Sequence, residues 1–572
     1  MNDFHKKRIL LCALLFGVTI GFSQSTNAPL NEDYYHRIDR YETKAGKIVN
    51  ELFTTVKPYK RSAIVAMMDT LEKNESLFLS ASDKFNLEYL RNDSWEWSKA
   101  PSSDSKKPFH GMYKKKSDLA NVDVPDFDLH VSPVLYLGTG KDSRQSDPVY
   151  INTRGVEIRG MIDRKIGFYT FLSDNQARLP AYGTDYSYNY GYFTVPHVGF
   201  WKDFKNGGVD FFEARAYIDF NLSKSIYMQF GYDRTNIGNG FRSLIFSDFA
   251  PPSQFLRANV KVWKLNYFFQ INRMTANVKS TPGGTSTSQR YPDKYVAFHQ
   301  LSVNLGKKFN LGLFESVVFS PQDSINGGTF ELNYLNPVIF YRAIEQQNGS
   351  ADNVILGLDW KWLAAKRLSF YGQFVLDEFV LNNVTSGKGW WGNKYSLQAG
   401  MKYIDVAGIS NLDLQLEGNL VRPFTYSHAN QFTSYTHFMQ PIAHPMGSNF
   451  YEIAAIVRYQ PIPKLNMTLK SFYIKTGRDN GVNDPTVVNW GGDPNKSYNT
   501  RVQDYDNKIG QGTDNSIVSA DLLASYMLRH NFFIDFRQTL RKSTSVDPIF
   551  NNNTSLTSVA LRWNIAARSY DF

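Results

Sequence analysis

Residues 412–420 read LDLQLEGNL, with Leu412, Leu414, Leu416, Gly418 and Leu420 on one parity and Asp413, Gln415, Glu417 and Asn419 on the other. A period of two is that of a β-strand, whose successive side chains point to opposite faces. The same alternation sets Phe212, Ala214, Ala216, Ile218 and Phe220 against Phe211, Glu213, Arg215, Tyr217 and Asp219. It recurs with Tyr451, Ile453, Ala455, Val457 and Tyr459 against Glu452 and Arg458. A soluble sandwich also has one polar face. A face carrying Glu213, Arg215, Asp219, Asp413 and Glu417 fits a wet lumen better, with the apolar face turned to lipid.

The connections between such strands alternate in length from about residue 127 onward. Tight turns fall near Asp163–Lys165, Asn221–Lys224, Trp263–Lys264, Gly306–Asn310, Ala364–Lys366, Asp405–Ser410, Pro461–Lys464 and Arg529–Asn531. Long polar stretches lie around 138–149, 174–208, 236–253, 274–294, 321–350, 380–393, 424–448, 477–514 and 542–553. Short turns on one side and long loops on the other are the habit of an outer-membrane barrel. Eight tight turns define sixteen paired strands, and one more at each end predicts about 18, an all-β transmembrane barrel of antiparallel strands. Both ends of the barrel then lie on the short-turn, periplasmic side.

Composition agrees with that class. Beyond the N-terminus no apolar stretch reaches the roughly 20 residues of a membrane helix, yet aromatics make up 15% of the chain. Alternation hides hydrophobicity in the mean, and the mean hydropathy is −0.38. The formal charge of +10 is spread thinly. No basic run exceeds Lys114–Lys116, so nucleic acid is not an expected partner.

Three regions precede the barrel. Lys6, Lys7 and Arg8 followed by the apolar run Ile9–Phe22 read as a signal peptide over 1–23, which predicts Sec export. The single cysteine, Cys12, lies inside it, leaving no disulfide. Residues 24–97 have helical spacing. Tyr34, Ile38, Tyr41, Ala45, Ile48, Leu52 and Val56 predict one helix, with Glu32 and Asp33 at its start and Pro58 at its close. A second helix is expected over Ser62–Lys73, with Ile64, Val65, Met68 and Leu71 inward, and a third over Asp83–Arg91, with Phe85 and Leu90. So small a bundle has a marginal core. It is expected to dock on the barrel as a plug or to stand beneath it as a periplasmic bundle. Residues 98–126 read as a linker and 127–572 as the barrel. The last strand is expected through Val559, Leu561, Trp563 and Ile565, with the terminal Phe572 an aromatic export signal despite a slip of phase near Ala566.

No catalytic constellation, nucleotide fingerprint or paired-cysteine site is present, so no enzyme and no cofactor are expected. His428, His437 and His444 share a loop without a supporting carboxylate pattern. Asp479, Asn483, Asp484, Asp493 and Asp504 lack the spacing of a calcium loop. The stretch GTDYSYNYGYF, Gly183–Phe193, places Tyr186, Tyr188, Tyr190 and Tyr192 at every second position. Tyrosine stacks on a sugar ring and bonds its hydroxyls, so this is either a sugar-binding strip or an aromatic girdle. In Gly231–Asp248, Gly238 and Gly240 permit a tight turn. Arg234 and Arg242 there offer forked donors to an anionic ligand, or else pair with lumen carboxylates.

Two stretches carry a family resemblance. GYDRTNIGNGFRS, Gly231–Ser243, continues to SDFAPPSQFLR, ending at Arg257; the other is FELNYLNPVIFYRAIEQQNGSADNVILGLDW, Phe330–Trp360. Both resemble the Wzi-type capsule-assembly outer-membrane proteins, in particular the branch of gliding Bacteroidota that includes the gliding-motility protein RemB. The resemblance implies an eighteen-stranded barrel closed on its periplasmic side by N-terminal helices. It also implies a lectin-like, non-enzymatic role, holding capsular or exported polysaccharide at the cell surface or supporting gliding. The expected partners are that polysaccharide, outer-membrane lipid, and proteins of a gliding or outer-membrane complex. The alternatives are a solute or sugar porin and a scaffold subunit of a secretion or assembly complex.

Overall fold

The structure is a computed structural model that describes residues 25–74, 77–98, 101–189, 194–276, 291–321, 330–337, 340–348, 352–378, 380, 382–383, 386–479 and 488–572. The expected signal peptide and Cys12 lie outside the described residues.

The chain forms a closed, antiparallel barrel of 18 strands. Its wall runs β1 Phe127–Asp142, β2 Val149–Ile162, β3 Ile166–Arg178, β4 Gly208–Asn221, β5 Ile226–Asp233, β6 Ser253–Val262, β7 Leu265–Thr275, β8 Asp293–Leu305 and β9 Phe309–Phe319. It continues β10 Asn353–Ala365, β11 Leu368–Glu378, β12 Lys394–Tyr403, β13 Leu412–Val421, β14 Phe450–Ile462, β15 Leu465–Arg478, β16 Thr513–Arg529, β17 Phe532–Ser545 and β18 Asn552–Trp563. Each strand pairs with its neighbour in sequence, and β18 closes on β1 with Leu556 opposite Asp142 and Trp563 opposite Leu135. Every expected tight turn and long connection falls between the expected strands. The first, second and last long connections are shorter than predicted, because β1 continues to Asp142, β3 to Arg178 and β17 to Ser545.

The period-two reading holds in burial. Phe212 is 61% exposed and Ile453 57%, whereas Glu213, Asp413 and Glu417 on the other parity are buried. Leu313, Val518, Leu540 and Val559 extend the exposed apolar face around the wall. A closed wall coated with exposed apolar side chains needs hydrocarbon as its solvent.

Among the described residues three α-helices precede the wall: α1 Glu32–Ala45, α2 Arg61–Glu72 and α3 Ala81–Asp93. The Asn31 side chain caps α1 by accepting from the backbone of Asp33 and Tyr34. The predicted extension of this helix to Val56 is wrong. Gly46 takes the left-handed conformation at φ 66 and its N–H donates to Glu42 and Thr43, which ends α1. Residues 47–60 leave helical form and cross the lumen instead, where Val56–Lys57 forms a two-residue strand against Asn236–Ile237. The helices share a core of Ile38, Tyr41, Ile64, Met68, Leu71, Leu87 and Leu90, to which the wall adds Met527 and Phe533. Phe85, expected inward, only borders it. The linker also carries a short strand, Ala120–Val124, paired with the start of β1.

The helices sit against the lumen face of the wall near the short turns. Arg40 is buried among Asp83 of α3, Asp405 of a turn and Asp413 of β13. Lys44 bridges Asp83 at 2.6 Å and Asp405 at 3.0 Å. Glu32 takes Arg458 and Lys470, each at 2.7 Å, and Asp39 takes Lys402 at 2.6 Å. Burial alone pushes the Asp39 carboxyl up, but Lys402, Lys57 and Lys361 outweigh it and hold the group at about 2. A free aspartate titrates near 3.9. The depressed value means that this pairing stabilises docking fully above about pH 4 and loses its contribution as pH falls toward about 2. Hydrogen exchange of the α1 peptide, corrected for intrinsic rates, should therefore be slow and constant above pH 4 and accelerate below it. The Lys402→Met variant should show faster exchange than wild type already at neutral pH. Unchanged protection down to pH 2 in wild type would contradict this docking mode.

Candidate functional site

The lumen face is filled from both ends. After β5 the chain turns inward, and Leu244, Ile245 and Phe246 are buried in the central core with Val296, Phe298 and Val421. The wall holds this loop by its backbone: Glu417 accepts from the N–H of Phe241 at 2.7 Å and of Arg242 at 3.0 Å. Gly240 is required here by close approach, since a Cβ would stand 2.6 Å from the backbone oxygen of Arg242. Gly238, at φ 121, lets its own N–H reach the Thr55 carbonyl at 2.7 Å, joining the loop to the N-terminal crossing segment.

The chain end completes the filling. The wall stops at Trp563, so Ile565 is not part of the last strand as expected, and the tail 564–572 turns back into the lumen. Phe572 is buried against Tyr186, with ring centroids 4.1 Å apart. Asp571 bonds Lys470 at 3.0 Å, and Arg568 reaches Glu213 at 3.1 Å. The phase slip near Ala566 marks this departure from the wall.

Both arginines of the Gly231–Asp248 segment are engaged internally. Arg242 forks onto Glu452 at 3.1–3.2 Å and donates to the Asp571 carbonyl, while His444 holds the other side of Glu452 at 2.9 Å. Arg234 donates to the His197 carbonyl at 2.7 Å and approaches Glu213 at 3.4 Å. Glu213 is thus shared by Arg215, Arg234 and Arg568 on the border of a mid-lumen cavity of about 220 Å³.

The described part of the tyrosine stretch, up to Asn189, is not extended. Residues Ala181–Asn189 form a helix, α4, in which alternate positions do not share a face. Tyr186 is buried and donates to the Pro445 carbonyl at 2.6 Å. Tyr188 belongs to α4, and Tyr190 and Tyr192 lie outside the described residues. His437 accepts from the Thr275 N–H and meets the Pro252 carbonyl, so the loop histidines have separate partners. Asn483 and Asp484 lie outside the described residues, and Asp479 bonds Lys496 and the Trp490 N–H.

The long-loop end carries an aromatic group that sequence reasoning missed. Trp391 packs on Tyr498 at 4.6 Å and on Trp390 at 5.6 Å, with the Arg501 guanidinium 4.3 Å over its ring. Two loops are zipped to build it: Trp391 N–H donates to the Asp504 carbonyl and Asn507 N–H to that of Gly389, each at 2.9 Å. All three residues are half-buried, beside the exposed Asp504 and Tyr505. Flat aromatic faces beside charged hydrogen-bonding groups suit a sugar ring, whose C–H face stacks and whose hydroxyls bond. The available signal was the adjacent pair Trp390–Trp391 in a long polar loop.

No protein-family model matches the chain, and no curated protein sequence does. Among solved structures it is similar to Wzi of Escherichia coli, described as an outer-membrane protein involved in group 1 capsule assembly and a carbohydrate-binding β-barrel. The TM-score is 0.55 at 13% identity, over 95% of this chain and 100% of that one. The chain has the fold of an outer-membrane barrel. Pseudomonas aeruginosa OprD aligns at TM-score 0.41 and 10% identity over 76% of this chain and 94% of its own. OccK8 of the same organism aligns at 0.40 and 9% over 77% and 98%.

The two arginines should differ on truncation. Arg242→Ala strips the buried Glu452 of its forked partner, a loss of about 3–5 kcal/mol for a broken buried pair. Arg234→Ala leaves Glu213 with Arg215 and Arg568 and should cost clearly less. Denaturant unfolding in detergent, read by the heat-dependent gel shift of a folded barrel, checks the order; equal losses would contradict it.

Proposed function

We propose that this protein is a non-enzymatic, closed outer-membrane barrel that binds surface polysaccharide at its long-loop end. The observation that carries this reading is the filling of the lumen by the N-terminal crossing segment, the inward loop and the C-terminal tail. A solute channel needs that space. A surface-binding protein does not, and its exposed working surface is then the loop end with Trp390, Trp391 and Tyr498. The likeness in fold to a carbohydrate-binding barrel supports the same assignment.

In this reading residues 24–97 act as a plug tied by 98–126 to the barrel, and residues 1–23 direct Sec export. The ligand class is capsular or exported polysaccharide, and the sequence resemblance extends the role to anchoring such a polymer during gliding. Outer-membrane lipid surrounds the wall.

Binding should be measurable with the full-length protein immobilised from detergent. Capsular polysaccharide purified from the source cells should be retained, and the Trp390→Ala/Tyr498→Ala double variant should bind at least about tenfold more weakly with its heat-dependent gel shift intact. A tenfold change corresponds to about 1.4 kcal/mol, within reach of lost aromatic stacking. No retention by wild type, or unchanged retention by the variant, would remove the loop-end assignment.

A further inference from the structure

A second cavity, of about 190 Å³, lies near the short-turn end between the segment carrying Glu51 to Ala63 and the lumen faces of β5, β6 and β7. It is distinct in chemistry from the cavity around Glu213. In the register of β5 and β6, Gln229 stands directly opposite Arg257 and Tyr227 opposite Asn259. Parity turns these side chains inward, and directly opposed residues bring their Cβ atoms to about 5 Å.

Arg257 is 3% exposed, and Nε and one terminal nitrogen of its guanidinium have no hydrogen-bond partner in the protein. Its plane lies 3.7 Å from the centroid of Phe255, which leaves its edge donors free. Gln229, 1% exposed, has neither its amide oxygen nor its amide nitrogen bonded. Across the cavity Lys60 places its ammonium 3.8 Å over the Tyr227 ring and 3.1 Å from Asn221 Oδ1. Lys224 and Lys261 also border the space, so four cations line it against one carboxylate, Glu51, which accepts from Thr70. Asp219 lies behind Tyr227 and accepts its hydroxyl at 3.1 Å, and Asp233 is 3.9 Å from Arg215. Both act on Arg257 through their charge, and neither lines the cavity.

A buried guanidinium and a buried amide without partners are costly. An anion entering this cavity would supply acceptors to both and balance the surrounding cations. A guanidinium edge binds any oxyanion bidentately. Lys60 and Gln229 approach from other directions, and a tetrahedral oxyanion spreads its oxygens over all three directions where a planar carboxylate offers two oxygens in a single plane. We propose that this cavity is a binding site for a small soluble phosphate compound entering from the short-turn end. The remaining volume accommodates a small organic group on the phosphate. The site faces the lumen, away from the lipid-covered side of the wall.

Calorimetric titration of the full-length protein in phospholipid-free maltoside tests this with inorganic phosphate, acetate and a short-chain phosphatidylglycerol as probes. Saturable one-to-one phosphate binding is expected, at least tenfold tighter than acetate and tighter than the phospholipid. Arg257→Gln and Lys60→Met should each weaken phosphate binding by at least tenfold. Lys60 lies outside the wall, so its variant tests the site even if Arg257→Gln fails to keep the gel shift of a folded barrel. Absent phosphate binding, or phosphate binding unchanged in Lys60→Met, would overturn the site. Acetate binding as tightly would overturn the tetrahedral class, and tighter phospholipid binding would overturn the soluble source.

Discussion

The structure depends on how a charged lumen wall is neutralised. Arg40 lies buried with Asp83, Asp405 and Asp413 at the short-turn end of the lumen, and Lys44 shares two of the same carboxylates. Charges withdrawn from water stabilise only when paired with good geometry, and removing one member leaves its partners exposed to the full desolvation cost. Wall residues Lys402, Arg458 and Lys470 place cations where α1 offers Asp39 and Glu32. The helices have too small a core to stand alone comfortably, and the wall has too many inward charges to stand empty without water. Each satisfies the other.

The same constraint acts from the opposite end. Glu417 would be an isolated carboxylate on β13, but it accepts two backbone N–H groups of the inward loop and the hydroxyl of Tyr371. Glu452 takes Arg242 and His444, and Lys470 takes Asp571 of the tail. Loop, crossing segment and tail meet in mid-lumen through Val56–Lys57 on Asn236–Ile237 and through Phe572 on Phe249. The filling leaves open the loop end with its aromatic group, the mid-lumen cavity around Glu213 and the small cationic cavity beside Arg257.

What the sequence made legible follows from the uniformity of the surroundings. Lipid imposes one rule on every outward position, so the alternation at Leu412–Leu420 and the spacing of the turns predict the number and order of the wall strands. The interior has no such rule. That α1 stops at Gly46 reflects a left-handed cap and the close approach of Lys366, not hydrophobic spacing, which continues through Ile48 and Leu52. Tyr186 and Tyr188 alternate in sequence, yet the segment coils into a helix because Tyr186 has a buried place against Phe249 and Phe572. For Arg234 and Arg242 the sequence left open an anionic ligand or lumen carboxylates, and only the fold brings Glu213 and Glu452 from distant strands to them. Trp390 and Trp391 became a candidate surface only when Tyr498 and Arg501, more than a hundred residues later, were placed beside them.

The central claim is that complementary charge closes the lumen, and single-molecule conductance of the full-length protein in a planar bilayer tests it most directly. The account predicts no steady open-channel current at neutral pH, with no more than rare, brief openings. Stable conductance steps of the size expected for an open barrel of eighteen strands would contradict it, because the helices, loop and tail could not then be held in the lumen as described.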